Sequence, residues 1–144
     1  KNGEVSRTHA LAAVSMIPQV RMTRRLCGAA NLRQSDDGKH ISASAGTFGS
    51  WKSRGPAYEL PMGALYGRKI KNLFAAGRCV SVEDDEMWDI ARVIPVCAVT
   101  GEAAGVMAAL YGDTGEIEPE KVQSTLVSRG VKVHIEDCRK EKNE

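Results

Sequence analysis

Aromatic side chains are scarce in this sequence, at 5% of 144 residues. A core built on stacked rings is excluded, and small aliphatic residues must supply most of the packing. An excess of one charge is lacking too: 20 Lys and Arg face 18 Asp and Glu, a formal net charge of +2. Proteins that grip a nucleic-acid backbone concentrate positive charge far more heavily and interleave it with aromatics. Arg21, Arg24, Arg25 and Arg33 therefore do not read as a nucleic-acid patch. Long hydrophobic runs are missing as well. The longest nearly apolar stretch, residues 93–99, falls far short of the roughly 20 residues of a bilayer span, so no membrane segment is expected.

Close cysteine pairs are also missing. Cys27, Cys79, Cys97 and Cys138 lie far apart and form no C-x-x-C spacing, so no zinc or iron–sulfur ligand set is expected. A chain of this length needs no disulfide staples, and nothing after Lys1 reads as an export signal. Reduced thiols and a cytoplasmic location follow as expectations.

Glycine is plentiful, with 14 copies, and alanine is frequent between Phe74 and Leu110. Such a chain brings backbone close to backbone, or backbone close to a ligand. Residues 1–17 read as a weakly amphipathic lead-in ended by Pro18. From Val20 to Cys27 the pattern alternates, which predicts a strand with Met22, Arg24 and Leu26 on one face. Arg21 and Arg25 then face the other way, towards protein carboxylates. Residues 31–54 are loop or hairpin territory around Asp36-Asp37-Gly38.

Tyr58-Glu59-Leu60-Pro61 reads as extended, because a residue preceding proline is pushed out of the helical region. Residues 72–77 form a short apolar run ending in Gly77, the pattern of a strand buried on both faces. Glu83-Asp84-Asp85-Glu86 reads as a solvated loop. A helix is predicted over 93–110, with Pro95 in its first turn and small residues at Gly101, Ala104 and Gly105. Glu118-Pro119-Glu120 starts another helix and Gly130 stops it. Val131, Val133 and Ile135 alternate with polar residues as a strand with one wet face, and the charged end from Cys138 reads as frayed. His9, His40 and His134 read as solvated or loop histidines.

A strand-like run, a Gly77-Arg78 corner and a helix start together suit a ligand with electron-rich oxygens. The residues carrying that corner also carry a resemblance. Tyr58-Glu59-Leu60-Pro61, Asn72-Leu73-Phe74-Ala75-Ala76-Gly77-Arg78-Cys79-Val80-Ser81, Arg92-Val93-Ile94-Pro95-Val96-Cys97 and Gly101-Glu102-Ala103-Ala104-Gly105 resemble the C-terminal portion of FAD-dependent oxidoreductases. The type is that of glutathione reductase and fumarate reductase, and most of all the heterodisulfide reductase A-like proteins. Arg21-Met22-Thr23-Arg24-Arg25-Leu26-Cys27-Gly28 resembles an arginine-rich strand of the same family. The resemblance spans about residues 18–112.

The resemblance implies a mixed α/β fold, the C-terminal fragment of an FAD/NAD(P)-binding-type fold, with a small sheet and two or three helices. Residues 1–57 would belong to a strand- and loop-rich substrate or cap region, 58–115 to the FAD-contacting strand–loop–helix segment, and 116–144 to a helix–strand tail. Gly77 and Arg78 would meet the ribityl or pyrophosphate part of FAD, and Arg78 is a donor where relatives often carry an acid. Arg92, Val93 and Ile94 would lie at the start of the helix facing the flavin's pyrimidine edge. Arg24 would be the active-site residue, receiving an anionic substrate.

Two departures accompany the resemblance. The loop after Gly77-Arg78 carries acids where the family often has a histidine. The G-x-G-x-x-G fingerprint that holds the ADP half of FAD occurs nowhere in the sequence. The expectation is therefore a fragment that contributes one side of a flavin site and is inactive alone. Its partners would be a nucleotide-binding half, or a second copy meeting exposed apolar surface, together with a small-molecule substrate. The alternative is a non-catalytic interaction domain that retains the fold without the cofactor.

Overall fold

The computed structural model describes residues 24–140. The expected lead-in over 1–17, Arg21, Met22, His9 and the last four residues lie outside the described residues. Two strands, β1 (Ser44–Gly49) and β2 (Ala57–Pro61), pair antiparallel. Four α-helices follow: α1 (Asp85–Ala91), α2 (Ile94–Thr114), α3 (Pro119–Ser128) and α4 (Ile135–Lys140). The mixed α/β architecture is as expected, but two or three helices become four among the described residues, because short α1 and α4 lie where the sequence reads as loop and strand.

The hairpin carries a bulge. Thr47 pairs with Glu59, whereas Ser44 pairs with Pro61, so the register shifts by one residue between them. Gly46 sits in that shift with φ +156°, and a Cβ there would lie 2.6 Å from a Val99 methyl of α2. Glycine thus lets the helix settle onto the strand. Phe48 and Tyr58 stack across the pair at 5.5 Å between ring centroids, within the range of favourable aromatic pairs.

Helix α2 begins where the sequence predicts, with Pro95 in its first turn and Gly115 in a left-handed cap at its end. Val96, Thr100, Ala103, Ala104 and Met107 recur at helical spacing and are buried. By length and composition α2 is apolar enough to cross a membrane. It runs well past the apolar stretch 93–99, because alanines, Val106, Met107 and Leu110 carry the apolar character on. Helix α3 starts at Pro119, buries Val122 and Leu126, and ends before Gly130, at φ +87°. Gln123 of α3 donates to the carbonyls of Ser42 and Ser44 at 2.8 and 3.0 Å.

Four segments depart from expectation. The acidic stretch is exposed but does not stay a loop. Asp84 accepts from the Met87 amide at 2.7 Å and caps α1, with Asp85 and Glu86 in its first turn. Residues 72–77 form no buried strand. Asn72 at φ 57° and Gly77 at φ 62° break the run at both ends, and one bridge, Tyr66 to Phe74, is its pairing. The described end of the predicted strand over 20–27 is also irregular, held by single bonds such as Leu26 N–H to the Cys79 carbonyl at 2.8 Å. Residues 131–135 build no ladder, because side chains take their carbonyls: Ser44 Oγ donates to Val133 at 2.6 Å and Thr47 Oγ1 to Lys132 at 3.3 Å.

Candidate active site

A single turn of 3-10 helix, Gly77–Cys79, lies against the first turns of α2. The Gly77 amide donates to Thr100 Oγ1 at 2.9 Å, and that hydroxyl in turn donates to the Val96 carbonyl. Thr100 is wholly buried. Gly77 holds the left-handed φ of 62°, and a Cβ on it would approach Cys97 Sγ to 3.3 Å. Backbone conformation and close approach both call for glycine here. Cys97 also donates to the Arg92 carbonyl at 3.4 Å, so thiol and hydroxyl together tie the corner to the helix start.

At that start Val93 is extended and accepts the first helical bond, from the Cys97 amide at 2.9 Å. Ile94 is 84% exposed. The leading N–H groups of a helix have no intrahelical partner and carry partial positive charge. Arg78, in the middle of the Gly77–Cys79 turn, is exposed, and its carbonyl accepts from Trp88 Nε1 at 3.1 Å. Arg24 is exposed as well, two residues before the Leu26 amide that binds Cys79. Arg25 pairs with Asp85 at 3.0 Å, a protein carboxylate as expected.

Arg92 is differently placed. Its Nε donates to Asp89 at 2.6 Å, and its guanidinium lies 5.4 Å from the Trp88 ring and 5.9 Å from the Trp51 ring. Lys52 joins Asp89 at 3.2 Å, and Trp51 Nε1 donates to the Asp89 carbonyl at 2.8 Å. The hydrogen bonds from Arg92 and then Lys52 hold the Asp89 carboxyl below its ordinary value. The Arg92 charge is thus already answered by protein, and its backbone, rather than its guanidinium, reaches the corner.

The sequence reading missed this clamp. Its signal was present: Trp88 and Arg92 are four apart on a helix, and Asp89 and Arg92 three apart, both spacings of facing side chains. It also missed the histidines. His134 Nδ1 lies 3.0 Å from a carboxylate oxygen of buried Glu59, and the His40 ring stacks on His134. Seventy-five residues separate His134 from Glu59, and no local spacing signals such a contact. A separate cleft, lined among others by Leu73, Phe74, Tyr111 and Ile117, lies towards the far end of α2.

A family model described as FAD dependent oxidoreductase matches residues 35–129, about two thirds of the chain. The chain belongs to the FAD-dependent oxidoreductase family. No curated protein and no solved structure matches it. For this FAD-dependent oxidoreductase domain, the matched region takes in the hairpin, α1, α2, α3 and the whole Gly77–Ile94 corner. Arg24 precedes the match and His134 follows it.

The corner's residues fit a flavin in chemistry. A helix start presents N–H donors, an exposed arginine adds a cation, and glycine keeps the turn free of a side chain where it meets the helix. Flavins are electron-rich at N1 and O2 and gain negative charge there on reduction. Arg92 gives its Nε to Asp89, which sets the direction of its guanidinium.

Proposed function

We propose that this chain supplies the ribityl and isoalloxazine side of an FAD site in an oxidoreductase of the glutathione-reductase and fumarate-reductase type, similar to heterodisulfide reductase A-like proteins. The observation that carries the proposal is the Gly77 amide bonded to Thr100, which fixes the Gly77-Arg78 turn against the start of α2. In this reading Gly77, its own amide held by Thr100, sets the turn's backbone beside the cofactor. Arg78 donates to a phosphate or ribityl oxygen, a task suited to its rigid fork. The backbone at Val93 and Ile94 turns helix N–H groups to the pyrimidine edge. Bound flavin supplies hydride or electron transfer. Arg92 positions rather than binds, holding the end of α1 to the Trp51–Lys52 segment so that the helix start stays in place.

Arg24 completes the reading as the receptor for an anionic substrate, one arm of an arginine-lined pocket. Its support is the Leu26–Cys79 bond, which brings its segment alongside the Gly77–Cys79 turn. The ADP half of FAD falls to a nucleotide-binding half outside these 144 residues. Gly101 and Gly105 have open space beyond their backbones, with nothing within 4 Å of an added Cβ, which suits close packing of that half on the outer face of α2.

FMN carries the ribityl and isoalloxazine parts without the ADP half, so the chain should bind FMN and FAD with similar affinity. Titration of each into the purified chain, followed by visible absorption and flavin fluorescence, tests the site. Matching saturable changes, weakened by Arg78→Ala, support it. A chain that leaves both flavins unperturbed overturns it and favours an interaction domain without the cofactor.

A further inference from the structure

Away from the flavin corner, three side chains from distant parts of the chain converge on one point. Glu59 lies in β2, His40 precedes β1, and His134 immediately precedes α4. One ligand atom from each lies within 4.8 Å of the other two. His134 Nδ1 is 3.0 Å from Glu59 Oε2, and His40 Nδ1 is 3.9 Å from the same oxygen. The two imidazole rings lie 4.4 Å apart and are tilted by 30°.

Glu59 is 2% exposed, yet it is placed to remain an anion. The Ile41 amide donates to Oε2 at 2.8 Å and the Ile135 amide to Oε1 at 2.9 Å. A carboxylate whose remaining capacity is held by backbone amides is the kind of pre-oriented oxygen that metal sites use. His40 stands beyond hydrogen-bond reach of the oxygen that it faces, and its side chain is 60% exposed. One edge of the cluster is therefore open to solvent, and an ion can enter without disturbing the core.

We propose that His40, Glu59 and His134 form a binding site for a zinc-class divalent cation. Two imidazoles and one carboxylate match the borderline softness of Zn²⁺, whereas Ca²⁺ and Mg²⁺ prefer all-oxygen sites. The ion takes Nδ1 of each histidine and Oε2 of Glu59, with solvent in the fourth position beside His40. In the metal-free chain the Nδ1 hydrogen of His134 points to Oε2. The ion replaces that hydrogen, and the neutral ring carries its proton on Nε2. Ligand distances of about 2 Å require the two histidines to draw in, which pins the start of α4 and the segment before β1 to the hairpin. The site shares no residue with the flavin corner, so its fate is independent of that reading.

Calorimetric titration of Zn²⁺ into the flavin-free 144-residue chain tests the proposal, alongside thermal melting with and without the ion. Saturable binding at one ion per chain and a raised melting temperature are expected. Both should be lost in His40→Ala, whose exposed side chain can be removed without unfolding the chain. The loss should exceed the ~10–100-fold that outer-sphere partners cost. Cys138→Ser should leave binding unchanged. Absence of saturable binding to the wild-type chain overturns the site. Binding that survives His40→Ala, or that is lost with Cys138, places the ion elsewhere and overturns it equally.

Discussion

Trp88 donates its indole N–H to the carbonyl of Arg78 at 3.1 Å, joining α1 to the turn that carries the candidate flavin donor. The bond runs from a buried side chain to an exposed residue, so it orients the arginine's backbone more than it stabilises the core. Trp88→Phe keeps a six-membered aromatic ring but removes the donor and the rest of the indole. In urea denaturation it should cost more than the ~0.5–1.5 kcal/mol of a lost hydrogen bond, because buried ring volume goes too, and it should weaken FMN binding.

Gly77→Ala places a side chain where φ is +62° and Cys97 Sγ would be 3.3 Å away. The left-handed backbone alone costs about 1–2 kcal/mol for a residue with a Cβ. Chemical denaturation should report at least that loss. Pairing the change with Cys97→Ala should recover the contact part and leave the backbone part.

Arg92→Lys retains a cation for Asp89 but gives up the planar face over Trp51 and Trp88. A stability loss of about 0.5–1 kcal/mol is expected from the lost ring contacts. The chain has only 2 tryptophans, and both touch Arg92. Intrinsic fluorescence therefore reads this cluster directly, and its emission should shift with the substitution.

Burial pushes the Glu59 carboxyl up, but bonds from the Ile41 amide, His134 and the Ile135 amide outweigh it and hold the group below its ordinary value. A carboxyl lowered on folding contributes stability above its unfolded value and loses it as pH falls through the folded one. Unfolding free energy should hold steady above about pH 4.5 and decline below it. Glu59→Gln should be less stable at neutral pH by about 1–3 kcal/mol and show a shallower decline in acid, as measured by denaturation across pH.

What local chemistry decides was legible in the sequence. Pro95 and Pro119 marked two helix starts, Gly130 a stop, and the residues before Pro61 an extended strand. The meeting of the Gly77-Arg78 turn with a helix start was legible from its residues, while Val93 and Ile94 were named only from the family likeness. What long-range partners decide was not legible. Alternation at Val131, Val133 and Ile135 mimics a strand, but Ser44 and Thr47 capture the carbonyls that a ladder would use. Asp84 was read by its charge, when its position before Met87 makes it a cap. The pairing of Glu59 with His134 joins residues that only the folded chain brings together.

Glu59 also works as a lock on alignment. Side chains alternate faces along a strand, so sliding β2 by one residue against β1 would turn Glu59 to the opposite side of the hairpin. The Ile41, Ile135 and His134 bonds would break in the same step, leaving a carboxylate and two amides to find new partners. The cross-strand stack of Phe48 on Tyr58 would be lost with them. The acid fits its surroundings in a single alignment.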